Sequence, residues 1–396
     1  MAQRIRWRVL ERIGILIAIM LALFLWFGPG IIEGGMNKVE PVAAKASPRA
    51  LALHQKLAIA DMHADTLMWQ RDLLEQSNRG HVDLPRLQTG NVALQVFSSV
   101  TKTPKGQNYD ANSGDTDNIT LLTMAQLQPV RTWKSLLERS LWHAEKLRRA
   151  EAKSAGALRV VRTKADLQNL LANRTKWDPK KPLPVGALLS IEGLQDLEGK
   201  RSNLDTLFKA GFRMAGFAHF YDNDVAGSMH GVKKGGLTPL GRQILADMEA
   251  KGMVVDIAHS SHAAVADILK LAKRPVVSSH GGVQATCKVN RNLTDDEIKG
   301  VARTGGVVGI GYWEGAICST QPAKFAEAVA HVRDLVGIDY VGLGSDFDGA
   351  TTTGFDTSQL ALITQALMDR GFTDADIAKV MGGNVLRVLG EVLPAQ

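Results

Sequence analysis

Eight side chains able to bind a cation or move a proton share one kind of position in this chain, just after a short apolar run. His63 and Asp65 follow Ala58–Met62, Glu192 follows Val185–Ile191, and His219 follows Arg213–Ala218. His259 follows Met253–Ala258, His280 follows Pro275–Ser279, and Asp346 and Asp348 follow Tyr340–Gly344. Any one of these has an ordinary reading as a capping or hydrogen-bonded polar group. Together they point to a metal, because imidazoles and carboxylates crowded at one place suffer desolvation and repulsion unless a cation compensates. His63-x-Asp65 is apt for this, since residues two apart on a strand face the same way. Imidazole with carboxylate suits zinc, with manganese or iron as alternatives. Five ligand candidates, His63, Asp65, Glu192, His259 and His280, are too many for one tetrahedral ion with an open position. Two ions about 3.5–4 Å apart, sharing a bridging carboxylate and a hydroxide, would use them all.

The other histidines, His54, His81, His143, His230, His262 and His331, end no apolar run and are assigned to surface, loop or core roles. Asp256 is read as a strand support. Arg291, in the loop after the sixth run, is either a solvated charge or a planar fork for a substrate carboxylate. A serine-nucleophile reading lacks a G-x-S-x-G elbow, and Cys287 and Cys318 end no strand.

Something must bring these run ends together. With Val92–Ser98 and Gly306–Gly311 the runs number eight, and the later ones alternate with helix signatures. Thr238-Pro239 opens a helix over Leu237–Lys251, and Thr294-Asp295-Asp296-Glu297 forms a capping box for Thr294–Thr304. Further helices are expected over His262–Lys273, Pro322–Val336, Thr357–Gly371 and Thr373–Leu389. Eight strands alternating with helices predict an α/β fold, a (β/α)8 barrel of the TIM type, with the active site at the strands' C-terminal ends. A doubly wound sheet would want a glycine-rich loop after its first strand, which is absent. Thr101–Arg159 reads as an insertion after strand 2.

The chain has 396 residues, with 45% apolar and 22% charged, which suits a globular body. Its formal net charge is +7, of which four arginines against Glu11 leave +3 in the first 12 residues. The remainder is too weakly basic for a nucleic-acid footprint. Ile13–Ile32 is uncharged and long enough to span a bilayer, with Gly28-Pro29-Gly30 expected to end its helix at Phe27. A membrane-spanning anchor or signal segment is therefore expected over residues 1–35, a linker over 36–54 and the barrel over 55–396. The arginines place the N-terminus in the cytoplasm and the body outside. In an oxidising compartment Cys287 and Cys318 can pair, although spacing alone does not decide it.

Seven segments, in order, resemble the membrane (renal-type) dipeptidases, zinc peptidases of the amidohydrolase-like barrels. They are Asp61-Met62-His63-Ala64-Asp65, Ile191-Glu192-Gly193, Leu237-Thr238-Pro239-Leu240-Gly241, Val255-Asp256-Ile257-Ala258-His259-Ser260, Ser278-Ser279-His280, Arg291-Asn292-Leu293-Thr294-Asp295-Asp296 and Gly344-Ser345-Asp346-Phe347-Asp348-Gly349. Gly382-Gly383-Asn384 with Leu386-Arg387 is similar to the family's C-terminal signature, so the resemblance covers about residues 55–392. It implies two zinc ions per chain, His63 and Asp65 on the first, Glu192 bridging, His259 and His280 on the second. It further implies a substrate-facing His219, a carboxylate-binding Arg291, an Asp346 that handles the proton, and a Cys287–Cys318 disulfide. The expected reaction is hydrolysis of a dipeptide by a metal-bridging hydroxide. The expected partners are a dipeptide, the bilayer through the N-terminal segment, and a second copy in a homodimer, with no nucleic acid. Other amide or ester hydrolases on this barrel often use a carbamylated lysine bridge, where this chain offers Glu192. A silent binding protein would be expected to have lost a ligand.

Overall fold

The computed structural model describes residues 2–176 and 183–395. Eight parallel strands close into a barrel: β1 Ile59–Ala64, β2 Val92–Val100, β3 Val185–Glu192 and β4 Phe212–Gly216, then β5 Val254–Asp256, β6 Val276–Ser278, β7 Val307–Ile310 and β8 Val341–Leu343. Each pairs with the next, and β8 returns to β1 with Leu343 opposite Asp61. Every strand residue is buried, which is why the sequence runs are continuously apolar rather than alternating.

Alternation persists inside the strands as a choice between two apolar surroundings. Ala60, Met62, Leu94, Val96, Leu188, Met214, Val254, Val277 and Val307 form one cluster with Val385, Val388, Leu389 and Val392 of the C-terminal helix. Their neighbours Ile59, Phe97, Leu189, Ile191, Val255, Val276, Val308 and Ile310 pack into the larger cluster with the surrounding helices. The helix Asn384–Val392 closes the end where the strands start, and Asn384 Nδ2 donates to the carbonyl of Val341. The opposite end is left to the loops.

The expected caps form. Thr238 accepts from the Gly241 amide before Pro239–Lys251, and Thr294 and Glu297 complete a capping box before Asp295–Arg303. The insertion between β2 and β3 holds helices Asn118–Ala125, Leu136–Lys153 and Lys164–Thr175, and a short strand, Leu158–Val160, against β3.

Three stretches differ from expectation. The helix expected over Thr373–Leu389 is broken, because Gly382 is extended where a Cβ would lie 2.0 Å from the Ala58 carbonyl. The N-terminal helix does not stop at Phe27 but runs Ala2–Met36 through Pro29, whose fixed φ is compatible with a helix and whose ring is buried. The stretch expected as a linker is docked on the barrel. Just before it, at the end of the N-terminal helix, Glu33 is buried and receives Arg71 and Arg79. Lys38–Val39 pairs with Thr352–Thr353, and Ser47 caps a helix over Pro48–His54. Its mixed Gly, Pro, Ala and Lys composition gives no hint of partners more than 300 residues away.

Candidate active site

The loop ends of β1, β3, β4, β5, β6 and β8 bring seven side chains to one point. Glu192, the last residue of β3, occupies the middle. Its Oε1 lies 2.9 Å from His259 Nε2, 3.3 Å from His280 Nε2 and 3.5 Å from His219 Nε2. Its Oε2 lies 3.6 Å from His63 Nε2, which is 3.4 Å from Asp65 Oδ1. Asp346 Oδ1 is 4.0 Å from His63 Nε2. All but Asp346 are almost fully buried.

The donor set fits a pair of cations. His63 with Asp65 and Glu192 forms one cluster of three ligand atoms, and Glu192 with His259 and His280 forms another. The edge of a zinc tetrahedron is about 3.3 Å, given ligand distances of about 2.0–2.1 Å, and these separations scatter about it. His63 Nε2, Asp65 Oδ1 and Glu192 Oε2 are buried without a hydrogen-bond partner. The two Nε2 atoms of His259 and His280 stand 2.9 Å apart. Such an arrangement of lone pairs asks for a positive charge between them.

Electrostatics agree at His259 and His280, whereas at His63 burial is outweighed by the Glu192 and Asp65 charges, which raise it well above the imidazole range, holding a proton that a bound cation would replace. Burial opposes the charge on Glu192, but His219, His63 and the His259 and His280 contacts outweigh it, holding the carboxyl ionised well below its usual range. Burial, then the Arg291 charge, holds His259 neutral, and burial, then His63, does so for His280. Neutral imidazole is the form that ligates. Asp65 is pushed up to about 6 by burial and by Glu192, and Asp346 is raised well above the carboxylate range by burial first and by its carboxylate neighbours.

Buried supports orient the candidate ligands. Asp256 accepts from the Ser279 amide and, at 2.5 Å, from Ser279 Oγ. Having given its proton to Asp256, Ser279 Oγ accepts from His280 Nδ1 at 2.8 Å, which turns the lone pair of His280 Nε2 to the centre. Asp61 does the same for β1 and β8, accepting from the His63 amide, Gln95 and Ser345. His259 and Asp346 hold left-handed backbone, φ 62° and 58°, a conformation that strains non-glycine residues and clusters at functional sites.

Arg291 is 2% exposed and donates to the His280 carbonyl at 2.8 Å, 3.4 Å from His259 Nε2. Among the described residues no carboxylate lies within 4.0 Å of it. Trp313 lies beneath its guanidinium. Asp348 is not brought to the centre. It is bound by Thr66, Arg71 and the His81 amide, which hold it far below the carboxylate range against its burial.

Tyr109, Phe220, His230 and Trp313 line the site and were not singled out from the sequence. Tyr109 comes from the insertion, stacks on Phe220, and its hydroxyl is 3.3 Å from Trp313 Nε1. His230 is buried beside His259 with Nδ1 on the Tyr109 carbonyl. No local pattern marks an aromatic wall drawn from three loops. The remaining histidines serve the body: His54, His81 and His143 are buried in hydrogen bonds, and His262 and His331 pair with Glu297 and Asp295. Cys287 and Cys318 form a disulfide with Cα atoms 5.5 Å apart.

The family model for membrane dipeptidase, peptidase family M19, matches residues 47–395. The chain belongs to the membrane dipeptidase family. It is thus a peptide-bond hydrolase of a metal-dependent family. Dipeptidase aclJ of Aspergillus oryzae (strain ATCC 42149 / RIB 40) is 30% identical over 358 residues, 85% of this chain and 78% of that protein. Dipeptidase verJ of Clonostachys rogersoniana is 30% identical over 320 residues, 79% of this chain and 76% of its own. Among solved structures, the probable dipeptidase PvdM from Pseudomonas aeruginosa superposes with a TM-score of 0.72 at 21% identity, covering 88% of this chain and 99% of that one. A metallopeptidase from Rhodobacter sphaeroides, liganded with a phosphinate mimic of L-Ala-D-Ala, gives 0.69 at 21% identity, covering 85% and 99%. These similarities match the barrel to the family's fold.

Proposed function

We propose that this dipeptidase is a zinc enzyme holding two ions per chain, one on His63, Asp65 and Glu192, the other on Glu192, His259 and His280. The observation that carries the reading is Glu192, whose two oxygens each serve a different ligand cluster. Ions bound there would supply Lewis acidity toward the peptide carbonyl and water acidified enough to attack it near neutral pH.

The chain's own side chains do the rest. Arg291, buried and lacking a carboxylate, binds the C-terminal carboxylate of the substrate, so the scissile bond of a dipeptide reaches the centre and a longer chain does not. His219 Nε2 donates to the oxygen that gains charge on the carbonyl. Asp346, next to His63 and ionised once bound cations would offset the burial and carboxylate neighbours that raise it, accepts the proton of the attacking water and delivers it to the leaving amine. Tyr109, Phe220 and Trp313 limit water around the reacting atoms.

We read the N-terminal helix as an uncleaved anchor with the body on the non-cytoplasmic side. Its apolar length, the arginines before it and the disulfide behind it support this. The deciding experiment purifies the full chain in detergent, counts zinc, and assays a panel of L- and D-dipeptides beside a tripeptide. About two zincs per chain and hydrolysis of dipeptides alone are expected. A protein fully active with Glu192→Ala and no metal would end the proposal.

A further inference from the structure

In the insertion, Ile119 and Leu122 pack inward on Met68 and Trp69, but the rest of the stretch to Val130 has its polarity reversed. The exposed residues there are all apolar: Leu121 at 59%, Met124 at 37%, Leu127 at 66% and Val130 at 70%. The polar residues Thr123, Gln126 and Gln128 are buried. Thr123 Oγ1 donates to the Thr120 carbonyl and Gln128 Nε2 to Gln126 Oε1, while Gln126 Nε2 and Gln128 Oε1 are buried without a partner. Leu127 is presented from left-handed backbone, φ 50°, a conformation costly for a leucine. A three-residue repeat of outward apolar side chains over ten positions is not the scatter of single apolar residues found on ordinary surfaces.

Its neighbour indicates what covers it. The helix Asn118–Ala125 lies against the N-terminal helix. That helix is exposed along Ile13–Phe24 and begins to be covered at Leu25, with Pro29 and Glu33 buried. Its C-terminal turns are fixed to the body by Glu33 with Arg71 and Arg79. The body thus first covers the helix at Leu25, in the C-terminal half of the uncharged stretch that ends at Ile32. Trp26, 81% exposed, sits at the level where interfacial tryptophans gather.

We infer that Leu121, Met124, Leu127 and Val130 dock the body onto the bilayer that holds the N-terminal helix, inserting into its interfacial layer as the apolar face of a monotopic segment does. This inference rests on the anchor reading above. It gives the body one orientation, with the helix as tether and the insertion as a second foot. Because the insertion also carries Tyr109, the foot is continuous with a wall of the active site.

The chain has no free cysteine among the described residues, so one added cysteine takes one spin label. The test uses the full chain in nanodiscs of phosphatidylcholine with phosphatidylglycerol. Labels are placed singly at Leu121→Cys, Leu127→Cys, Leu21→Cys in the helix, and Leu271→Cys at the far end of the barrel. Retained dipeptide hydrolysis checks that each variant folds. Expected is greater collision with oxygen than with a water-soluble nickel chelate at 21, 121 and 127, and the reverse at 271. A bilayer-embedded label at 21 with aqueous labels at 121 and 127 would overturn the docking and leave the anchor standing. Aqueous labels at all four sites would remove the anchor and this inference together. Labels at 121 and 127 shielded from both reagents, with broadening between like labels, would assign the patch to a second copy and overturn the proposal.

Discussion

Asp346 and Arg291 flank the cluster beside His63 and His259 and carry two proposed roles that do not involve holding metal. Asp346→Asn keeps the shape and removes the base. Zinc content should stay, while kcat falls by roughly 10²–10⁴, the usual size of general acid–base catalysis. Loss of zinc with this variant would make Asp346 a ligand instead. Arg291→Lys retains charge but not the planar fork. kcat/KM should fall more for free-acid dipeptides than for dipeptide amides, and equal losses would deny the carboxylate role. Asp196 offers a pH test away from the ligands. Burial pushes its carboxyl up to about 7, with Ser140 Oγ donating to it. The folded state then holds a proton that the unfolded chain releases near pH 4. The stability from that proton is complete below about pH 4 and lost as pH rises to about 7. Asp196→Asn should remove the slope. With zinc saturating, its Tm relative to the parent should rise between pH 4.5 and 7.5, and a constant difference would refute the assignment.

At the scale of elements, the strands place ligands by ending, and the loops place everything else. The ligand types were legible because each closes an apolar run, which a parallel barrel makes conspicuous. Asp256, read as a strand support, does accept from the Ala258 and Ser279 amides, but Asp61 was less legible, since a buried aspartate accepting only amide, amide side-chain and hydroxyl donors leaves no local pattern. Asp348 sits two residues from Asp346 on the same loop, yet it serves Arg71. Only the fold separates the two. The loop carrying Arg291 is pinned by the disulfide, which ties Cys287 to the end of the helix Glu314–Ile317, and by Asn292, which donates to the carbonyls of Cys287 and Ala316. Closing a loop of 31 residues is worth about 3–4 kcal/mol on chain entropy. Cys287→Ser with Cys318→Ser should lower Tm accordingly and raise KM for dipeptides more than it lowers zinc content. A lowered Tm with unchanged KM would show that Asn292 alone positions the loop.

Over the whole molecule, one end of the barrel carries all the chemistry and the other is sealed by the C-terminal helix. Composition and strand count made this polarity readable in advance. They did not reveal that the N-terminal helix joins the same end, because its partners Arg71 and Arg79 lie in a loop with no repeating pattern. Glu33 is buried between those arginines, and Arg71 continues to Asp348 on the loop after β8. Removing one partner of a buried pair leaves an uncompensated charge and costs about 3–5 kcal/mol. Arg71 keeps Asp348 when Glu33 is lost, so Glu33→Gln should fall near the lower end of that range. Arg79 is partly exposed and should matter little, so Arg79→Gln should cost under about 1 kcal/mol. Unfolding of the full chain in detergent compares the two. If they cost the same, the helix end is merely resting on the barrel. If Glu33→Gln costs several times more, the N-terminal helix and the loop bearing Asp346 belong to one cooperative unit, and that helix is part of the enzyme's fold.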